Sequence, residues 1–482
     1  MNISEIIKEP LKYNNFLINE TNINNFKKET IEKNISLIFT KLLSLNEKKE
    51  ETKYITLSCI LGAFLGDSMG SSCEFSKKNP KNHELIFKIK DGIFEIGEIT
   101  DDSEMAISAA FAYMDLPFKE SIKIKDLLYF YFCIWKNSVP KDIGKATQNA
   151  LGLFVPNQDS IVTTKYNHLI QNTIFDLNKK SLANGYLMRI STFIVFFYYA
   201  YFDFVNEILN QDDTSLYLEL YNKIYQESYK NVVIIHPNLE NVIASAIYTF
   251  MVLTAFVKKN AKDVLNNLKI LIDHKYFISQ HKEENIAKET VKKFKNAILE
   301  VEKNYVFDVF KSMGYYLHSI KLSIYFINKF DKMKENIKEN ENLYRKIMEE
   351  ICDFGGDTDT NCAIVGTLIG PLIGYKNFDR ELFTIFIKFF PKKRIQYTSA
   401  FMYEYVDFLE NKYLYINNNN YHNKKNVIDN KNINQDIKNE ENKNNQKNNK
   451  DNNSPNPNEE NEDVIKKEND FIVLKKLMKF LS

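Results

Sequence analysis

Two short acidic segments hold the side chains with the most chemistry to offer. In one, Gly355-Gly356-Asp357-Thr358-Asp359-Thr360-Asn361 sets two carboxylates one residue apart, interleaved with hydroxyls, at the head of the apolar run 362–370. In the other, Thr100-Asp101-Asp102-Ser103-Glu104 precedes a run of Ala, Ile and Phe over 105–114. Asp and Thr are good N-cap and first-turn residues, so each segment is expected at a helix mouth. Capping one helix takes one such side chain, whereas residues 357–360 supply four. Together Thr100, Asp101, Asp102, Asp357, Asp359 and Thr360 offer six oxygen ligands. Held face to face they could bind two hard divalent cations, Mg²⁺, Mn²⁺ or Ca²⁺ rather than zinc, since no Cys or His pair stands with them. Carboxylates crowded this densely repel one another, and cations remove that cost. Two ordinary acidic helix caps are the alternative at this level.

The elements that must position these mouths read as helices. Residues 55–70, ITLSCILGAFLGDSMG, place Gly62, Gly66 and Gly70 every four residues, leaving one helix face without side chains. In a membrane that spacing would mark a dimerising span, but the run is short and carries Asp67. Close helix packing in a core is expected instead, and Gly366, Gly370 and Gly374 repeat the device. Ile31, Ile35, Ile38 and Leu42 predict an amphipathic helix over 29–45, in an extension (1–50) packed on the main domain (51–415). Between 121 and 260 apolar and aromatic residues recur at helical spacing, with breaks at 179–189 and at His236-Pro237-Asn238. The Lys/Glu-rich stretch 260–350 reads as surface helices and connecting loops.

Of the 482 residues 44% are hydrophobic and 26% charged, enough for a sizeable core. The net charge of +1 gives no bulk argument for nucleic acid or an anionic membrane. Five Cys without a CxxC pair suggest reduced thiols in an intracellular protein, cytoplasmic or nuclear. No signal-peptide pattern opens the chain, and the most apolar run, 192–202, is about half a membrane span. Residues 416–468 are Asn-dominated and nearly free of aliphatics, a composition that stays disordered. Residues 469–482 close the chain with a short basic amphipathic helix expected to dock on the domain.

Several motifs in order, GAFLGDSMGSSCEF (62–75), GEITDDSEMA (97–106), SLANGYLMR (181–189), His236-Pro237 and GGDTDTNCAIVG (355–366), make residues 54–410 resemble the ADP-ribosylglycohydrolase family. This family includes the dinitrogenase-reductase-activating glycohydrolase and ADP-ribosyl-acceptor hydrolase types. The resemblance implies an all-α fold, an orthogonal multi-helix bundle with two Mg²⁺ or Mn²⁺ ions in a cleft, and a monomer acting on ADP-ribosylated proteins or ADP-ribose conjugates. Carried over by motif, Thr100, Asp101, Asp102, Asp357, Asp359 and Thr360 match the metal ligands, with Asp101 also facing substrate. Ser181, Leu182, Ala183, Asn184 and Gly185 match a loop holding the diphosphate and distal ribose, and His236 a substrate-contacting histidine. Glu74 matches an acidic residue on a mobile loop over the metals. The chain departs from the family pattern at Ala183, where Gly is usual, at Ser103, where Thr is usual, and at Ile99, where an aromatic is common.

The implied activity is hydrolysis at C1″ of ADP-ribose through an oxocarbenium-like centre, with Glu74, Asp102 or Asp357 assisting proton transfer. Serine-, arginine- and small-molecule-linked conjugates all stay open, with Glu74 tilting towards O-linked ones. A catalytically silent ADP-ribose-binding or structural member of the fold is the alternative from another class, and a metal-dependent phosphohydrolase is a third. Intact TDD and DTDT segments argue against lost catalysis.

Overall fold

The computed structural model describes residues 25–74, 94–116, 123–152, 168–211, 213–303, 308–389, 391 and 394–415. The expected Asn-rich tail and terminal helix lie outside them, as do residues 75–93 after Glu74. The described residues contain seventeen α-helices and no strand. The first five are α1 (Asn25–Ser44), α2 (Glu51–Gly70), α3 (Asp101–Asp115), α4 (Ile124–Asn137) and α5 (Lys145–Leu151). They are followed by α6 (His168–Asn178), α7 (Ile190–Ala200), α8 (Phe202–Asn210), α9 (Tyr217–Val232), α10 (Leu239–Lys258) and α11 (Ala261–Asp273). The last six are α12 (Glu284–Glu302), α13 (Tyr316–Glu335), α14 (Leu343–Phe354), α15 (Thr358–Ile373), α16 (Arg380–Lys388) and α17 (Phe401–Leu409).

The pairing of α2 with α15 is the most extensive contact between helices, and the glycine repeats cause it. A Cβ on Gly66 would lie 2.4 Å from the Cys362 carbonyl oxygen, and one on Gly370 would lie 2.2 Å from that of Ser58. Backbone therefore rests on backbone, an approach closed to any larger residue. Tyr344 seals the seam by donating its hydroxyl to the Gly62 carbonyl. Gly374 serves differently from the other glycines of its repeat: it ends α15 at φ +80°, packed under Tyr54.

The other helices close a single apolar core around this pair. All but Ala200 of α7 is buried, each large side chain there contributing about 1.5–3 kcal/mol. Helix α10 is long and apolar enough to cross a membrane, but 94% of its apolar window is buried in the fold. Helix α1 starts at Asn25, ahead of the expected boundary, and docks through Ile35, Ile38 and Leu42. Tyr375 donates to the Leu42 carbonyl at 2.6 Å, tying α1 to the domain. The stretch 260–350 is less superficial than its composition suggests. Its Tyr, Ile and Phe residues turn one face of α13 into the core, where Ser319 donates to Asn361 of α15 at 2.7 Å.

Candidate metal centre

Helix α3 opens as its sequence dictates, with the Thr100 hydroxyl accepting from the Asp102 amide as N-cap. Beneath it lies Asp67 of α2, fully buried. Its carboxylate accepts from the Thr100 hydroxyl at 2.8 Å, the Thr100 amide at 3.0 Å, the Ser103 hydroxyl at 2.5 Å and the Ser103 amide at 3.2 Å. Ser103 thus makes the anchoring bond with its hydroxyl. Further along the first turn, Glu104 receives the Trp135 indole N–H at 2.9 Å and the Arg394 guanidinium at 2.6 Å. Ile99, at the position where an aromatic is common, is simply core.

Helix α15 opens differently. Gly355 and Gly356 take φ of +74° and +80°, which turns the chain sharply out of α14. Asp357 occupies the N-cap position, yet its side chain caps nothing; Asn184 donates to it at 2.7 Å. Thr358 turns away and donates to the Gly70 carbonyl at 2.7 Å. That bond, with the glycine seam, brings the two mouths together, and the Thr360 hydroxyl approaches the Asp102 carboxylate.

Two overlapping carboxylate clusters result. Oxygens of Asp67, Asp102 and Asp359 lie within 4.8 Å of one another, as do those of Glu74, Asp357 and Asp359. Asp359 belongs to both. Burial, then repulsion from neighbouring carboxylates, pushes Asp101, Asp102 and Asp359 well above the ordinary aspartate range. Burial likewise pushes Asp67 up to about 6, and burial with the charge of Asp357 pushes Glu74 up to about 8. Asp102 Oδ2 is buried without a hydrogen-bond partner. Unpaired buried acceptors and mutually repelling carboxylates fit hard divalent cations, which would satisfy both.

The clusters floor a cleft of about 390 Å³. Of the sequence-derived site residues, Glu74, Asp101, Asp102, Asp357, Asp359, Thr360, Ser181, Ala183, Asn184, Gly185 and His236 line it. Thr100 lies beneath the floor, its hydroxyl committed to Asp67. Leu182 packs on the core, its carbonyl accepting from the Tyr316 amide at 3.1 Å. The Ser181–Gly185 loop is therefore pinned from behind: Asn184 donates its amide to the Gly314 carbonyl at 2.9 Å. Ala183 pairs across from Tyr315 in an isolated bridge. His236 is buried against Tyr186, with ring centroids 5.7 Å apart, and burial beside Arg189 holds it down to about 3.

Sequence reasoning missed Asp67, Asp142 and Lys145. A single carboxylate in the otherwise apolar face of α2 was the available signal for Asp67, since a buried acid needs partners. Asp142 and Lys145 lie in a short polar stretch with no periodicity to mark it.

The fold and these clusters define a helical protein whose cleft carries carboxylates that could bind a metal ion beside the polar Ser181–Gly185 loop. The chain belongs to the ADP-ribosylglycohydrolase family, whose profile matches residues 50–384; this is a family of metal-dependent hydrolases of ADP-ribose conjugates. A protein of Acanthamoeba polyphaga mimivirus, provisionally named an ADP-ribosyl glycohydrolase, is 27% identical over 326 residues, covering 65% of this chain and 86% of that protein. A solved chain from an ADP-ribosylglycohydrolase-related protein complex aligns with a TM-score of 0.47 at 15% identity, over 74% of this chain and 99% of that one.

Proposed function

We propose that this protein removes ADP-ribose from modified protein side chains by hydrolysing the glycosidic bond at C1″. The observation that carries this reading is the pair of carboxylate clusters sharing Asp359, with the orphaned Asp102 oxygen between the two helix mouths. Asp101, Asp102, Asp357, Asp359 and the Thr360 hydroxyl line the cleft and are the residues that would hold two Mg²⁺ or Mn²⁺ ions, with Thr100 beneath them bonded to Asp67. When bound, such ions supply Lewis acidity that fixes ribose hydroxyls and lowers the pKa of water.

The chain's own residues do the rest. Asn184 orients Asp357, and the pinned Ser181–Gly185 loop sets the substrate's long axis against the floor. Glu74, whose carboxyl lines the cleft beside Asp357 and Asp359, is placed to give a proton to the departing side chain. Asp102 or Asp357 then accepts a proton from the attacking water. A second carboxylate, Asp142, lies near Glu74 and Asp101 at the same end of the cleft. It favours a cationic acceptor, so arginine-linked conjugates stand beside serine-linked ones.

The test is release of free ADP-ribose from serine- and arginine-linked ADP-ribosyl peptides, with Mg²⁺ and with chelator. Release that needs Mg²⁺ and falls by about a thousandfold in Asp359→Ala is expected. No release from either peptide by a protein that binds Mg²⁺ would point to a binding role. No divalent-ion binding at all would sink the reading.

A further inference from the structure

The segment 308–315, between α12 and α13, bears on the mouth of α15 at two points. Val309, 1% exposed, lays its carbonyl oxygen over the glycine turn: a Cβ on Gly356 would stand 3.0 Å from it. Gly314 lies against the hydrogen bond from Asn184 to Asp357, since a Cβ there would stand 3.6 Å from both Asn184 Oδ1 and Asp357 Oδ2. The same segment pairs with the Ser181–Gly185 loop through the Gly314 carbonyl and Tyr315. One short stretch of backbone thus backs both the carboxylate of Asp357 and the amide that orients it.

Between those two contacts the chain runs through exposed residues, Phe310, Lys311 and Ser312. Ser312 takes φ +60°, a left-handed conformation that costs any residue with a Cβ. The Tyr315 amide closes the turn by donating to the Ser312 carbonyl at 2.7 Å. At the tip, the hold from outside the segment comes from His318, in the first turn of α13. Its Nε2 donates to the Lys311 carbonyl at 2.8 Å. The imidazole stands edge-on to Tyr315, with ring centroids 5.6 Å apart and planes at 89°.

We infer that His318 is a positioning residue for Asp357: by pinning the tip of 308–315 it keeps Val309 seated on the glycine turn and Gly314 on the Asn184–Asp357 bond. This rests on the reading of Asp357 as a metal ligand. It goes beyond that reading in tracing the aim of the carboxylate to a histidine that does not line the cleft. Backbone packed against a hydrogen bond keeps water from competing for it and narrows the orientations the carboxylate can take. One hydrogen bond at a partly exposed site corresponds to about a fivefold change in affinity.

The test is calorimetric Mg²⁺ titration of the full chain, with urea midpoints as a check on the fold. It compares wild type with His318→Ala, His318→Gln, Asn184→Ala and the double variant carrying His318→Ala and Asn184→Ala. Expected is a Kd for Mg²⁺ raised about fivefold in His318→Ala and largely restored in His318→Gln, whose amide can donate to the same carbonyl. In the double variant His318→Ala should add little to the loss from Asn184→Ala, because both act on one carboxylate. A wild-type Kd in His318→Ala overturns the inference. So does a loss that His318→Gln leaves unrestored, or full additivity in the double variant. A wild type that binds no Mg²⁺ defeats the metal reading and the inference with it, whereas variants level with a Mg²⁺-binding wild type defeat the inference alone.

Discussion

The two acidic helix mouths look alike in sequence and are held in opposite ways. The mouth of α3 is buttressed from inside the core: Asp67 receives four hydrogen bonds from Thr100 and Ser103, and Thr100 caps its own helix. The mouth of α15 has no side-chain cap. Its Asp357 is aimed by two positive-φ glycines and by Asn184, which comes from a loop 173 residues away in sequence. One mouth is a rigid platform and the other is set by backbone geometry and a borrowed amide. Support is thus concentrated under Asp102, while Asp357 on the other side depends on Asn184 of the Ser181–Gly185 loop.

The largest effect comes from the seam that both mouths depend on. Val in place of Gly66 or Gly370 puts a branched side chain where a Cβ alone would stand 2.4 or 2.2 Å from a carbonyl oxygen. The helices must separate, at a cost of about 4 kcal/mol or more. Urea unfolding is expected to show this loss together with loss of Mg²⁺ binding by calorimetry. A stable Gly370→Val protein with intact Mg²⁺ affinity would show that the seam does not set the distance between the mouths.

The comparison itself is sharpened by removing one support from each mouth. Asp67→Ala strips four bonds from the α3 platform, and about a hundredfold loss of Mg²⁺ affinity is expected. Asn184→Ala frees Asp357 but leaves the glycine turn in place, so a loss of about tenfold is expected. Isothermal titration with MgCl₂ on both variants measures the ratio. Equal losses would mean that the two mouths are supported alike.

Much of this was legible in the chain, and what escaped has a physical reason. Thr100, Asp101 and Asp102 announce a capped acidic helix because capping is local chemistry, decided within four residues. The Gly62–Gly66–Gly70 face announced close packing, but only the fold supplies the partner, Thr358 to Gly370 of α15. Asp67 was read as a reason against a membrane span. Its role depends on α3, thirty-three residues later in the chain at Thr100. The pinning of the Ser181 loop by Gly314 and Tyr316 escaped for the same reason, since backbone pairing between distant loops leaves no pattern in either. Family motifs brought forward side chains that the fold gathers at one cleft; that Asp142 and Lys145 line it too is a property of the assembled surface.

Acid acts on the α3 platform and on a remote site in opposite senses, which gives the smallest and most specific test. Asp67 is held up to about 6 by burial. In a chelated, metal-free protein the fold therefore favours its protonated form, and Asp67 lowers stability as pH rises from about 4 to 6. His281 is held down to about 4 by burial among Tyr221, Tyr225 and Phe277. The unfolded chain takes up that proton first, near pH 6.5, so the stability His281 confers is present above 6.5 and lost as pH falls towards 4. Each contribution is on the order of 1–3 kcal/mol across its window. Urea midpoints measured in chelator from pH 4 to 7 should rise more steeply with pH in Asp67→Asn than in wild type, and less steeply in His281→Phe. Identical profiles in the two variants would mean that neither group titrates differently in the fold. A flattened profile in Asp67→Asn would mean instead that the platform carboxylate is ionised even without a cation. In that case its four donors alone are enough to hold the charge.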